Sequence, residues 1–153
     1  MAIRRLIHFR DVTFRRKSKE IVKFDERLWQ LLDDMRDTLT EIDGVGCAAV
    51  HVGVLRRAVV VINDETNEVI ELINPVITDR GTKTDRVLES SVAPGAPGAL
   101  VVRPKKIIVE AVDRNGKPIT VTGEGFLAAT LCHEIDHLDG IIFTDRAIEI
   151  ITK

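Results

Sequence analysis

Residues 125–140 read Gly-Phe-Leu-Ala-Ala-Thr-Leu-Cys-His-Glu-Ile-Asp-His-Leu-Asp-Gly, and this stretch decides the fold. Leu127, Leu131 and Ile135 recur four apart, the spacing of one helix face, while His133 and His137 fall on nearly the opposite face. The spacing predicts a helix from about Gly125 to Asp139, with Gly140 where a left-handed C-cap belongs. Its apolar side chains point one way and its histidines another, so the helix is expected to run through the interior.

Working outward, Leu28, Leu31, Leu32, Met35, Leu39 and Ile42 repeat at three- and four-residue steps and predict an amphipathic helix from Asp25 to Ile42, stopped at Asp43-Gly44. The β-branched runs Ala58 to Ile62 and Val69 to Ile73 flank the polar stretch Asn63 to Asn67 and read as a pair of strands. Lys83 to Leu88, Ile107 to Val112 and Ile119 to Val121 are further strands, the last two joined by a turn at Asn115-Gly116. Ser90 to Gly98, rich in alanine, glycine and proline, reads as an ordered loop. The expected architecture is α+β: mostly antiparallel strands around a central C-terminal helix, with the earlier helix packed outside.

The chain has 153 residues, enough for one domain with its own core. No linker composition or repeat divides it. A net charge of -2 argues against a nucleic-acid partner, and the basic residues from Arg4 to Lys19 read as a solvated face. There are two cysteines, Cys47 and Cys132, each in apolar sequence. Buried thiols, no signal-like core and no apolar run long enough for a bilayer point to the cytoplasm, with no membrane partner. A monomer or small homo-oligomer is expected.

On a helix, residues four apart lie one turn above each other, so His133 and His137 can address a single divalent ion. Glu134 is offset by a fraction of a turn, which suits taking a proton from a metal-activated water. A third ligand is needed. A metzincin would have histidine where Phe143 stands, Glu149 comes too soon after the helix, and Cys132 projects away from His133. The third ligand therefore lies upstream.

The chain resembles the peptide deformylases, metal-dependent amidases that remove formyl from nascent N-terminal methionine. The family's first motif, Gly-x-Gly-x-Ala-Ala-x-Gln, stands here as Gly44-Val45-Gly46-Cys47-Ala48-Ala49-Val50-His51, and its second, Glu-Gly-Cys-Leu-Ser, as Glu89-Ser90-Ser91-Val92-Ala93. The third, His-Glu-x-Asp-His, is complete from His133 to His137, and Arg103-Pro104 and Asn115-Gly116 also fall in place. The resemblance implies a deformylase-like fold, one divalent metal (Fe2+, Zn2+ or Ni2+) on His133 and His137, and Glu134 as general base. It also implies a cleft for a formylated peptide N-terminus or similar small amide. Gly44 and Gly46 would lie on an edge that pairs with the peptide, Val45, Ala129, Thr130 and His133 would line the side-chain pocket, and the Val92 amide would face the oxyanion.

Two departures matter. The family's cysteine ligand is Ser91, a neutral and weak donor in place of a thiolate. Its oxyanion glutamine is His51, which can donate one hydrogen bond or complete a three-histidine site. Three readings stay open at this level: a working deformylase of reduced or altered activity, a peptide-binding protein without turnover, and a metalloenzyme with a changed amide substrate.

Overall fold

In the computed structural model, which describes residues 2–151, the first amphipathic pattern forms helix α1, Glu26–Ile42. The Asp25 carboxylate caps it by accepting from the Leu28 amide at 3.2 Å, and Asp43, at φ 55°, ends it in the left-handed region. Eight strands follow in chain order: β1 Gly46–Ala48, β2 Ala58–Ile62, β3 Val69–Asp79, β4 Thr84–Glu89, β5 Gly98–Pro104, β6 Lys106–Val112, β7 Pro118–Glu124 and β8 Ala147–Ile151. Helix α2, Phe126–Leu138, lies between β7 and β8. The strands form a five-stranded sheet ordered β1-β2-β3-β6-β7 and a three-stranded sheet ordered β4-β5-β8, with antiparallel pairing in both.

The larger sheet is covered on both faces. On β2, Val59 and Val61 join Leu131, Ile135 and Leu138 of α2, while Ala58 and Val60 join Leu28, Leu32 and Met35 of α1. That double burial explains why β2 reads as a continuous apolar run rather than an alternating one. Every α2 residue from Ala128 to Leu138 is buried, as expected of a helix through the interior. Gly140 follows it at φ +75°, where an added Cβ would stand 2.7 Å from the Arg15 carbonyl oxygen. Among the described residues no helix is long and apolar enough to cross a membrane.

The structure extends the sequence reading in three places. Strand β3 continues past Ile73 through a bulge: Asn74 takes φ 52°, and its side chain bonds the Ile21 amide and carbonyl, both at 2.9 Å. Strand β5 follows the loop directly, with Ala99, Val101 and Arg103 on its buried side. The segment around Glu149, not assigned to an element from the sequence, is strand β8 paired with β5. Thr152 and Lys153 lie outside the described residues.

Candidate metal centre

Three buried histidines meet at the middle of α2. His137 is central, its ring 5.1 Å from that of His133 and 4.6 Å from that of His51. His51 arrives from a single turn of 3-10 helix, Ala49–Val52, directly after β1. The turn is fastened from outside, where the Ile7 amide donates to the His51 carbonyl at 2.9 Å. Phe14, delivered by another such turn at Val12–Arg15, packs its ring against His51 at 5.3 Å and His137 at 5.2 Å. Phe143 stacks on His133 at 5.0 Å.

Four atoms in this packed region have no hydrogen-bond partner: His51 Nε2, Glu134 Oε1 and both ring nitrogens of His137. A buried polar atom left unpaired costs about 1–3 kcal/mol, so such a concentration of donors at one point is suited to holding a cation. His51, Glu134 and His137 each offer a ligand atom, and these lie within 4.8 Å of one another. Their chemistry, imidazole nitrogen with carboxylate oxygen, fits a divalent transition metal.

Burial sets the protonation of His51 and His137, whereas at His133 the carboxylates of Glu134 and Glu89 overcome burial and raise it above the ordinary histidine value. Burial pushes His51 down to about 3, helped by the nearby charge of His133, and holds His137 well below the ordinary histidine value. Both are therefore neutral and ready to bind a cation. Burial lifts Glu134 to about 7 against the opposing pull of His133, the range that suits a general base. A consequence follows for the metal-free chain. Unfolded histidine takes up a proton below about 6.5, whereas folded His51 does not until about 3. Stability is therefore expected to fall as pH drops through that window, and metal loading to raise stability at neutral pH without flattening the fall, since the ion and protons compete for the same nitrogens. Thermal unfolding at a series of pH values, with and without chelator, checks this.

Behind the histidines runs a buried ionic lattice. Arg103 donates from Nε to Glu89 Oε2 at 2.7 Å, from Nη2 to Glu89 Oε1 at 2.9 Å and from Nη1 to Asp136 Oδ2 at 3.1 Å. Glu89 Oε1 in turn lies 2.9 Å from His133 Nδ1, and Arg146 grips Asp136 at 2.7 and 3.1 Å. With His133 Nδ1 directed at a carboxylate, Nε2 is left as its free nitrogen, the usual arrangement behind a metal-ligating histidine. Burial alone would raise Glu89, but Arg103 and then His133 outweigh it and hold the carboxyl below its ordinary value. Sequence reasoning named Glu89, Arg103 and Asp136 as motif letters without roles. An arginine at a core-facing strand position was the available signal.

In front of the histidines a cleft of about 90 Å³ opens between the edges of the two sheets. Val45 contributes from one side, Leu88, Glu89 and Ser90 from the other, and Phe126, Ala129, Thr130, His133 and Glu134 form its floor on α2. Val45, Ala129, Thr130 and His133, expected in the side-chain pocket, thus share one cavity with Glu134. Gly46 is required by close approach, since a Cβ there would sit 3.0 Å from both Glu134 Oε2 and Thr130 Cγ2. Gly46→Ala is expected to displace Glu134 and cost about 1–3 kcal/mol, measured by urea denaturation. At Gly44 a Cβ would meet Val92 Cγ1 at 2.9 Å, so the first motif packs against the second. No hydrogen bond engages the Val92 amide among the described residues. The Ser91 hydroxyl accepts the Ala93 amide at 3.1 Å and bonds none of the three histidines. Cys47 and Cys132 are free and buried in apolar surroundings, and Glu149 is exposed on β8.

A buried His-Glu-x-x-His helix with a free carboxylate facing a cleft defines a metal-dependent hydrolase. Comparison with known proteins gives the family. The polypeptide deformylase pattern matches residues 3–152. A peptide deformylase of Caldicellulosiruptor bescii is 46% identical, over 100% of this chain and 90% of that protein. The crystal structure of a peptide deformylase from Legionella pneumophila is 38% identical and superposes with a TM-score of 0.88, over 95% of this chain and 86% of the other. That of Synechococcus elongatus, in complex with actinonin, is 30% identical with a TM-score of 0.87, over 94% and 78%. The chain belongs to the peptide deformylase family, and its fold is the deformylase fold.

Proposed function

We propose that this chain hydrolyses the formamide of N-terminal formyl-methionyl peptides, releasing formate and a free amine. The observation that carries the reading is the position of Glu134. Glu134 lines the cleft, with one oxygen against Gly46 and the other unpaired beside His51 and His137. One carboxylate thereby touches both the substrate space and the metal cluster.

His133 and His137 would hold the ion, and Fe2+, Zn2+ and Ni2+ all suit imidazole donors. When bound, a divalent ion supplies Lewis acidity toward the formyl oxygen and lowers the pKa of water to about 7. Glu134 takes the proton from the attacking water and returns it to the amine nitrogen as the C–N bond breaks. The uncommitted Val92 amide is suited to donate to the developing oxyanion. The edge of β1 at Gly46, with Gly44 and Val45 leading into it, offers backbone groups to an extended peptide. Val45, Ala129 and Thr130 provide walls for an unbranched apolar side chain. The actinonin bound by the Synechococcus elongatus relative supports a small ligand in this cleft.

The test is formate release from a formyl-methionyl peptide by protein reconstituted separately with each ion. Metal-dependent release in equal amount to new free amine is expected. One bound ion per chain with no formate would favour a changed amide substrate, and failure to bind any ion would leave only peptide binding.

A further inference from the structure

The family's thiolate ligand is missing, because Ser91 stands in its place. A replacement donor has to be buried, unprotonated and unclaimed by other hydrogen bonds. Ser91 meets none of these conditions. It is half-buried, its oxygen already accepts the Ala93 amide, and a hydroxyl keeps its proton far more tightly than a thiol. Neither cysteine substitutes for it, since both are enclosed in apolar cores and neither offers an atom to the His51–Glu134–His137 cluster, which His133 adjoins with its ring 5.1 Å from that of His137.

His51 meets all three. It is 0% exposed, its Nε2 has no partner, and its ring edge meets the ring of His137 at 4.6 Å. Its other nitrogen is supported in either tautomer. Nδ1 lies 3.0 Å from the Ala48 amide nitrogen and 3.2 Å from the Ala48 carbonyl oxygen. With Nδ1 donating to the carbonyl, the Nε2 lone pair is free for a cation.

Position separates this from the other role open to His51. His51 is fully enclosed behind Glu134 and His133, which line the cleft, whereas half-buried Val92 keeps an uncommitted amide for the oxyanion. We infer that His51 is a metal ligand, completing with His133 and His137 a centre of three imidazoles and no sulfur. The inference rests on the reading that the His133–His137 segment holds an ion. It makes the two departures one compensated change: sulfur is lost at position 91 and nitrogen gained at position 51.

The test uses the full chain, with its four histidines labelled with 15N. On titration of the metal-free protein with Zn2+, three imidazoles are expected to move to metal-bound nitrogen shifts while exposed His8 does not. The Co2+ form is expected to lack sulfur-to-metal charge-transfer absorption. His51→Gln should weaken Zn2+ binding by at least tenfold, whereas Ser91→Ala should stay within threefold of the natural chain. Two shifted imidazoles, a sulfur band, or loss of binding in Ser91→Ala alone would overturn the inference. Because the labelled protein is unmutated, the result stands even if His51→Gln fails to fold. Formate release measured on the same Zn2+-loaded sample separates the outcomes: three shifted imidazoles without formate would sink the proposed reaction and leave the ligand assignment intact.

Discussion

Glu134→Gln is expected to lower formate release by about 10²–10⁴-fold while one ion per chain is retained. The substitution keeps the shape of a side chain that is 5% exposed and packed against Gly46, so the fold and cleft should persist. What disappears is the proton acceptor that burial has tuned to about 7. Glutamine can still accept a hydrogen bond from water but cannot carry its proton to the leaving amine. Steady-state formate assays with parallel metal analysis decide the matter. A rate within tenfold of the natural chain would show that another group moves the proton.

Arg103→Met is expected to cost about 3–5 kcal/mol, the largest stability effect of any single change considered. Arg103 is 3% exposed and is the bidentate partner of Glu89 as well as a partner of Asp136, so its removal strands the Glu89 carboxylate in the interior and leaves Asp136 to Arg146 alone. Urea denaturation measures the loss. Because Glu89 also orients His133, the variant should bind Zn2+ about 10–100-fold more weakly even where it remains folded. The pH dependence has a fixed sign. The Glu89 carboxyl is held below its unfolded value, so its contribution is present above about pH 4.3 and lost as pH falls through the folded value. The natural chain should show this acid loss, and Arg103→Met should show less of it.

Most of the architecture was legible from periodicity. The helix predicted from Asp25 to Ile42 and the one from Gly125 to Asp139 appear as α1 and α2. Ala58 to Ile62 is β2 as read, because its apolar run had no competing interpretation. Illegibility began where local signals were overruled by distant contacts. The strand read from Val69 stops at Ile73, yet Ile21, far away in sequence, supplies the bonds to Asn74 that carry it on through a bulge. Likewise Gly98 and Pro104 bracket β5 with residues that ordinarily end strands, and only pairing with β4 and β8 makes it a strand.

The centre was legible in its letters and not in its depth. Spacing pairs His133 with His137, and the first motif brings up His51, but no sequence pattern tells which of two sides of a buried helix a side chain occupies. The aromatic packing of Phe14 and Phe143 was silent for the same reason, since single phenylalanines outside a periodic element announce nothing. The Glu89–Arg103–Asp136 lattice joins residues from two strands and a helix, and its local trace is an arginine at the end of the apolar run Ala99 to Val102.

The strap formed by the first residues has a temporal meaning. Ile7 fastens the His51 turn, Phe9 bonds the Pro94 carbonyl in the Ser91 loop, Phe14 roofs the histidines, and the Ser18 amide reaches the Leu138 carbonyl at the end of α2. Residues ahead of α1 therefore close over a helix that is made much later. During synthesis, a chain still lacking α2 has the strap and the sheet edge but nothing to enclose. The centre is enclosed only when the segment before α1 meets the helix after β7, so it depends on contacts of long sequence separation, which form late in folding.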